Sequence, residues 1–406
     1  MSAAQIKSYL ASIDVPYDLN QLPDDAYLIG GSVRDALLNR EKVPWDLDFI
    51  LPKKAIATAK RIANLYHGGF VILDEEREIA RVVFAQGTLD LARQEGSTLV
   101  IDLNRRDFTI NAIAYNLQRQ QLVDPLGGLI DLQQGIIRMV STQNLEDDPL
   151  RLLRAYRQAA QLNFDLEKNT RTAISDRAWL LKTIAGERVQ AELNYIFKEA
   201  AGNKWLKLAV EDGVLQFWLP NINQAKLEQL EPLERGIEYC SKFDFDLSEL
   251  TILAKLATLV DYDPTIAEAE LTQLKYARTQ IKAVVKTVKY LPQLQQMKEQ
   301  MTLREQYFWF LSVKEIFPIL IARAIATEVA LAIIEPLVKR YLNPKDPVAH
   351  PQCLVTGNDL ICQLNLKPSP IIGKLLTEIQ IAQIESKIAT PQQAIDFAEI
   401  LLPTLN

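Results

Sequence analysis

The sequence predicts an α+β fold, with a small mixed sheet and its helices first and an all-α remainder after it. Two patterns carry this expectation. Short β-like runs, Tyr27–Ile29, Leu47–Leu51, Phe70–Leu73, Ile79–Phe84, Leu89–Leu91 and Leu122–Val123, are confined to residues 1–139, where Gly and Asp turns punctuate them and helical stretches interleave. From about residue 140 onward Leu, Ala, Gln, Glu and Lys dominate, and apolar residues recur at helical spacing. A third observation is length: 406 residues exceed one ordinary hydrophobic core and imply roughly two to four domains.

Within the helical part, Gly186, Pro220, Pro292 and Pro318 are read as breaks. Asn343–Pro351 (NPKDPVAHP), with three prolines, reads as a linker before a last helical piece. The longest apolar stretch, Phe317–Leu337, contains Arg323 and Glu328, so it reads as a buried or amphipathic helix and no membrane span is expected. Cys240, Cys353 and Cys362 are scattered without metal-ligand spacing, and no signal peptide is recognised; a reducing, cytoplasmic setting follows as the expectation.

Net charge is −6, which argues against indiscriminate nucleic-acid affinity. The average hides two basic segments: Arg151–Lys207 holds 11 Lys and Arg against 6 Asp and Glu, and Leu271–His350 holds 12 against 6. Lys275, Arg278, Lys282, Lys286 and Lys289 recur at spacings of three and four, which on a helix would place them in one stripe. Like charges so placed repel one another, and a nucleic-acid backbone is a suitable partner; a solvated face is the bland alternative.

The chemistry concentrates near the N-terminus. YLIGGSVRDALLN (Tyr27–Asn39) reads as strand, tight turn and helix. Gly30 and Gly31 permit close approach of a ligand, Ser32 adds a hydroxyl, the helix start offers free N–H groups, and Arg34 adds a fork suited to phosphate. Just downstream, WDLDFIL (Trp45–Leu51) places Asp46 and Asp48 two apart on a strand, hence on one face. Two aligned carboxylates repel, and divalent cations such as Mg²⁺ relieve this while clamping phosphate oxygens. Asp90, on a later strand, is a candidate third carboxylate; an edge-strand aspartate facing water is the alternative.

These residues resemble the class II tRNA nucleotidyltransferase and bacterial poly(A) polymerase family, a branch of the polymerase beta-like superfamily. GGSVRD followed by DLD is similar to its first motif. NRRDFTINAIAYN (Asn104–Asn116) resembles its RRD motif, and DPLGGLIDLQQGIIR (Asp124–Arg138) its head–neck hinge. EDDPLRLLRAYRQAAQLNF (Glu146–Phe164), GERVQAELNYIF (Gly186–Phe197) and LVTGNDLICQLNLKPSPIIGKLL (Leu354–Leu376) are similar to later elements in the family's order, though Ser369 stands where members often carry Gly. The resemblance implies a nucleotidyltransferase head at 1–139, a neck at 140–200, a helical body at 201–342 and a tail at 343–406. It implies two Mg²⁺ on Asp46 and Asp48, and sugar and phosphate contacts from Arg105, Arg106 and Asp107. Asp148 and Arg151 would read the incoming base, and Arg154 and Arg157 would hold phosphate. The RRD segment itself reads as lying after a strand and before an apolar helix.

The partners implied are tRNA and CTP, with ATP if addition runs to the full CCA end. Only residues 91–104 separate Asp90 from Arg105. Family members that incorporate A carry a longer, flexible loop there, so the resemblance favours CC addition, with full CCA addition as the alternative. A poly(A) polymerase would usually carry basic extensions. A fused HD-type phosphohydrolase needs an HD pair, and the two histidines, His67 and His350, are far apart. A catalytically dead RNA-binding homologue should have lost the carboxylates or the glycine turn, which are both intact.

Overall fold

The sheet forms as the alternation predicts, with more strands than the sequence showed. Seven strands, β1 (Tyr27–Ile29), β2 (Trp45–Leu51), β3 (Gly69–Asp74), β4 (Ile79–Val83), β5 (Gly87–Arg93), β6 (Ala114–Asn116) and β7 (Gln121–Val123), pair in the order β3-β4-β5-β2-β1-β6-β7. Only β2 and β5 run parallel; the other neighbours are antiparallel. The structure is a computed structural model describing residues 1–40, 44–297 and 299–405. It divides into two units, Met1–Pro220 and Asn221–Asn406. The stretch 201–220, expected to begin the body, lies in the first unit, where the helix Gly202–Glu211 packs against the helices Leu150–Leu162 and Gly186–Lys198.

β2 and β5 are the centre of the design. Leu47, Phe49, Leu89 and Leu91 alternate into the core and are all at most 1% exposed. The intervening residues, Asp46, Asp48, Thr88 and Asp90, are half-buried on the opposite face, in register as Asp46↔Thr88 and Asp48↔Asp90. β5 lies between β4 and β2, so Asp90 is not on an edge strand. The RRD segment also departs from expectation. It follows the short helix Leu99–Leu103 and leads into a 3₁₀ turn, Thr109–Asn111, and then β6. Every residue of β6 is buried, so no helical or alternating pattern marked it.

After the sheet, the first unit continues in helices that include Thr142–Asp147, Leu150–Leu162 and Gly186–Lys198, with a short parallel pair between Ile136–Ile137 and Asp165–Leu166. Gly186 starts a helix and Pro220 ends the unit, as punctuation should.

The second unit is helical among its described residues. The apolar stretch Phe317–Leu337 is two helices rather than one, Phe317–Ala326 and Leu331–Leu342, interrupted where Glu328 takes a φ of 62°. No described helix is long and apolar enough to cross a membrane. Pro318 sits in the first turn of its helix, where its missing N–H costs nothing, but Pro292 lies inside Arg278–Gln295 and does not break it. Lys275 is not on that helix. It occupies a left-handed turn, φ 62°, after the helix Pro264–Gln273, so the basic helical stripe begins at Arg278.

Candidate active site

A cavity of about 730 Å³ opens in the first unit, and the first motif forms part of its wall. β1 delivers the chain to Gly30, which takes φ +68° and starts the helix Gly30–Leu37. A Cβ there would come within 3.1 Å of Arg106 Nη1 and 3.9 Å of Asp48 Oδ2, so the bare backbone lets the turn, the RRD segment and the β2 carboxylates converge. Ser32 fastens the helix to β2: its hydroxyl donates to the Asp46 carbonyl at 2.9 Å and accepts from the Asp48 N–H at 3.2 Å. The sequence showed that hydroxyl only as a ligand group; its structural work was legible only in three dimensions.

Asp46 and Asp48 both line the cavity from one face of β2. Thr88 Oγ1 donates to Asp46 Oδ1 at 2.5 Å. Asp90 does not line the cavity. Its carboxylate is held by both Nε and Nη2 of Arg81, at 2.7 and 2.8 Å. That hydrogen-bonded pair, with the nearby charges of Asp46 and Asp48, pushes the Arg81 guanidinium pKa up against the cost of burial. Among the described residues no three His, Cys, Asp or Glu side chains gather into a metal-holding group. Asp46 and Asp48 could hold a divalent cation from one face of β2, with oxygens of water and substrate completing its shell.

The segment from Asp147 to the helix Leu150–Leu162 supplies more of the wall. Asp147, Asp148, Arg151, Arg154 and Arg157 all line the cavity, as do Arg34, Arg105, Arg106 and Asp107. Asp107 is the hub of a buried network. Its carboxylate accepts from Phe108 N at 2.8 Å, Asn111 Nδ2 at 2.9 Å and Gln158 Nε2 at 3.4 Å, and Arg154 Nη2 lies 3.3 Å away. Burial alone would raise the Asp107 pKa; the Arg154 charge and these hydrogen bonds outweigh it and hold the carboxyl below its usual range. Arg34 joins the network, donating to Asn111 Oδ1 at 2.9 Å and pairing with Asp35 at 2.8 Å, so it acts as a buried strut as well as a cavity wall. Arg157 is likewise committed, its Nε 2.5 Å from Glu192 Oε2.

Arg106 and Arg154 line the cavity, and each keeps a buried Nε without a hydrogen-bond partner. Arg105 is ion-paired with Glu95. Burial pulls the Arg151 pKa down, against the charges of Asp107 and Asp148. Arg151 Nη1 donates to the Asn144 carbonyl at 2.9 Å, while Asn144 Nδ2 donates to the carbonyls of Asn104 and Arg106, both at 2.7 Å. Asn144 thereby ties the neck to the RRD segment. Sequence reading missed it, as it missed Arg188, Arg77 and Arg93 in the cavity wall. Arg188 stands in the GERV motif and could have been flagged there; the others carry no local signal.

Asp148 closes the helix Thr142–Asp147 and precedes Pro149, which caps the helix Leu150–Leu162. The connection that follows β5 is short and fixed. Gln94 N donates to the Leu51 carbonyl at 2.8 Å, Glu95 N to Asp102 Oδ2 at 2.8 Å, and Gly96, at φ +79°, leaves room that a Cβ would take from Ile101 Cγ2, 2.5 Å away.

Of the predicted cations in the second unit, Lys282 and Lys286 share Glu315, at 3.8 and 3.5 Å, an acid outside the basic run. Arg278 and Lys289 are exposed. In the tail, the polar groups of TGNDL are used in capping: Asp359 Oδ2 accepts from the N–H and hydroxyl of Thr356, both at 2.7 Å.

Three known families match in succession: the poly A polymerase head domain at residues 26–138, the RNA and SrmB-binding region of polymerase A at 163–226, and tRNA nucleotidyltransferase domain 2 at 245–398. The chain is 47% identical to the CC-adding tRNA nucleotidyltransferase of Synechocystis sp., over 97% of this chain and 98% of that protein. It is 29% identical to the CCA-adding enzyme of Streptococcus gordonii, over 91% and 92%. Its fold is similar to that of the Thermotoga maritima CCA-adding enzyme solved in complex with tRNA, with a TM-score of 0.73 at 23% identity over 98% of each chain. A likeness of 47% along almost the whole of both chains leaves one conclusion: this chain belongs to the tRNA nucleotidyltransferases, a family of metal-dependent transferases.

Proposed function

We propose that this protein adds CMP to the 3′ end of tRNA from CTP and stops at CC. The observation that carries the end point is the connection after β5, five residues (94–98) between β5 and the next helix, held by the Gln94 N–H on the Leu51 carbonyl, by the Glu95 N–H on the Asp102 carboxylate and by a left-handed glycine. A pocket wall so fixed has no slack with which to reshape itself for a second base. The relative from Synechocystis sp. is named for CC addition, which supports the same reading.

In this reading the RNA 3′-hydroxyl attacks the α-phosphorus of CTP, the bond to the β-phosphate breaks, and pyrophosphate leaves. Asp46 and Asp48 would hold Mg²⁺, two ions by family resemblance, and bound metal supplies positive charge for the triphosphate and the leaving group. The Gly30–Gly31 turn gives the phosphates close access, and Arg105, Arg106, Arg154 and Arg157 supply cationic donors for them. Asp107 orients Arg154. Asp148 accepts from the 4-amino group of cytosine and Arg151 donates to its ring acceptors, so protein replaces a template strand. Asp90 acts through Arg81, keeping that cation beside the carboxylate pair. Lys275, Arg278 and Lys289, with Lys282 and Lys286 to a lesser degree, hold the RNA backbone.

The deciding experiment incubates the protein with tRNA lacking its CCA end, CTP and ATP, and reads product length. A product ending in CC is expected; a product ending in CCA overturns the end point. Asp46→Ala should abolish addition while leaving tRNA binding in place, and normal turnover by that variant overturns the metal-site assignment.

A further inference from the structure

The carboxylate read above as the base selector is itself held by a second residue. Arg188, on the helix Gly186–Lys198, lines the same cavity. Its Nη2 lies 3.2 Å from Asp148 Oδ1 and 3.1 Å from Oδ2. Oδ1 also accepts from Leu150 N at 3.4 Å. An ionised carboxylate offers about four lone-pair sites, two on each oxygen. Oδ1 thus accepts from two donors and Oδ2 shares one of them, which leaves Oδ2 the freer acceptor.

A terminal carboxylate torsion is otherwise broad, so an unclamped aspartate could turn either oxygen to the pocket. The clamp is braced one helical turn on, where Glu192 pairs with Arg157 of the neck helix at 2.5 Å. Arg188 belongs to no contact that the sequence reading assigned to a nucleotide.

We propose that Arg188 is a specificity-determining positioning residue: it fixes Asp148 as one outward acceptor, which a base bearing an exocyclic amine satisfies and a base bearing a carbonyl at that position does not. This rests on the reading of Asp148 as base selector. A uracil O4 placed there would set two acceptors against each other, while cytosine N4 donates. The positive charge of Arg188 also offsets the Asp148 carboxylate, which would otherwise repel the triphosphate.

The test is single-nucleotide addition to tRNA lacking CCA, with CTP and UTP compared. Arg188→Ala should lower kcat/KM for CTP by about tenfold, the worth of one charge-assisted hydrogen bond, and reduce the preference for CTP over UTP. The KM for tRNA and the melting temperature should stay put, because an ion pair half open to solvent contributes little to stability. Arg188→Lys should restore most of the preference, because one nitrogen, Nη2, makes both contacts to Asp148 and an ammonium can take its place. In an Asp148→Ala background, Arg188→Ala should change nothing further. The proposal is overturned if Arg188→Ala keeps wild-type selectivity while Asp148→Ala loses it, or if the two losses simply add. If Asp148→Ala itself keeps selectivity, the base-selector reading fails first and takes this proposal with it.

Discussion

Asp107 illustrates how a single residue serves two tasks. It is fully enclosed, yet ionised, because Arg154 and three hydrogen-bond donors surround it. The same contacts aim Arg154 at the cavity. Removing the charge leaves Arg154 without its partner in a half-buried site, so Asp107→Asn should cost about 3 kcal/mol in denaturant unfolding. The sign of its pH dependence follows from the lowered pKa. A depressed carboxyl stabilises the fold above the unfolded value, near 3.9, and that stability fades as pH falls through the lower folded value. Wild-type protein should therefore lose stability below about pH 4, and the variant should show a shallower acid limb in melts taken across that range.

At the scale of elements, the connection from β5 to the helix Leu99–Leu103 is built to stay still. Gly96→Val would force a β-branched residue into the left-handed region and push a side chain onto Ile101. The cost should be about 1–3 kcal/mol, seen as a lower melting temperature and as earlier proteolytic cleavage between residues 94 and 98. An unchanged melt would show that the connection yields freely, and would remove the physical basis for an end point at CC. This element was legible in the sequence only as a short interval; of the hydrogen bonds that hold it, the one to Leu51 comes from a distant strand and the one to Asp102 from a side chain seven residues on. The same division runs through the fold. β2 and β5 announced themselves by alternation because one face is buried and the other lines or flanks the site, whereas β6 is buried on both faces and carried no period to read. Asp46, Asp48 and the neck arginines stand in local motifs and were visible. Asn144 and Arg188 matter through what they touch across the neck, and Lys282 and Lys286 lose part of their free charge to Glu315, none of which spacing alone can reveal.

For the whole molecule, a net charge of −6 must be reconciled with a substrate that is a polyanion. The reconciliation is local: arginines concentrate around the cavity in the first unit, and exposed cations cluster near the start and along the helix Arg278–Gln295 in the second. The cations of that helix are not equivalent. Arg278 and Lys289 are exposed with no acidic partner among the described contacts, whereas Lys282 and Lys286 already face Glu315. Each phosphate contact that releases a counterion adds roughly 0.7–0.9 to the slope of log affinity against log salt. Arg278→Ala with Lys289→Ala should therefore lower that slope by between one and two in tRNA gel shifts. The Lys282→Ala and Lys286→Ala pair should lower it less, since Glu315 screens both in the free protein. CTP incorporation at saturating tRNA should be unchanged in either pair, because neither touches the cavity in the first unit. Equal slopes for wild type and the Arg278–Lys289 double variant would mean that this helix face is merely solvated, and that the RNA backbone is held elsewhere.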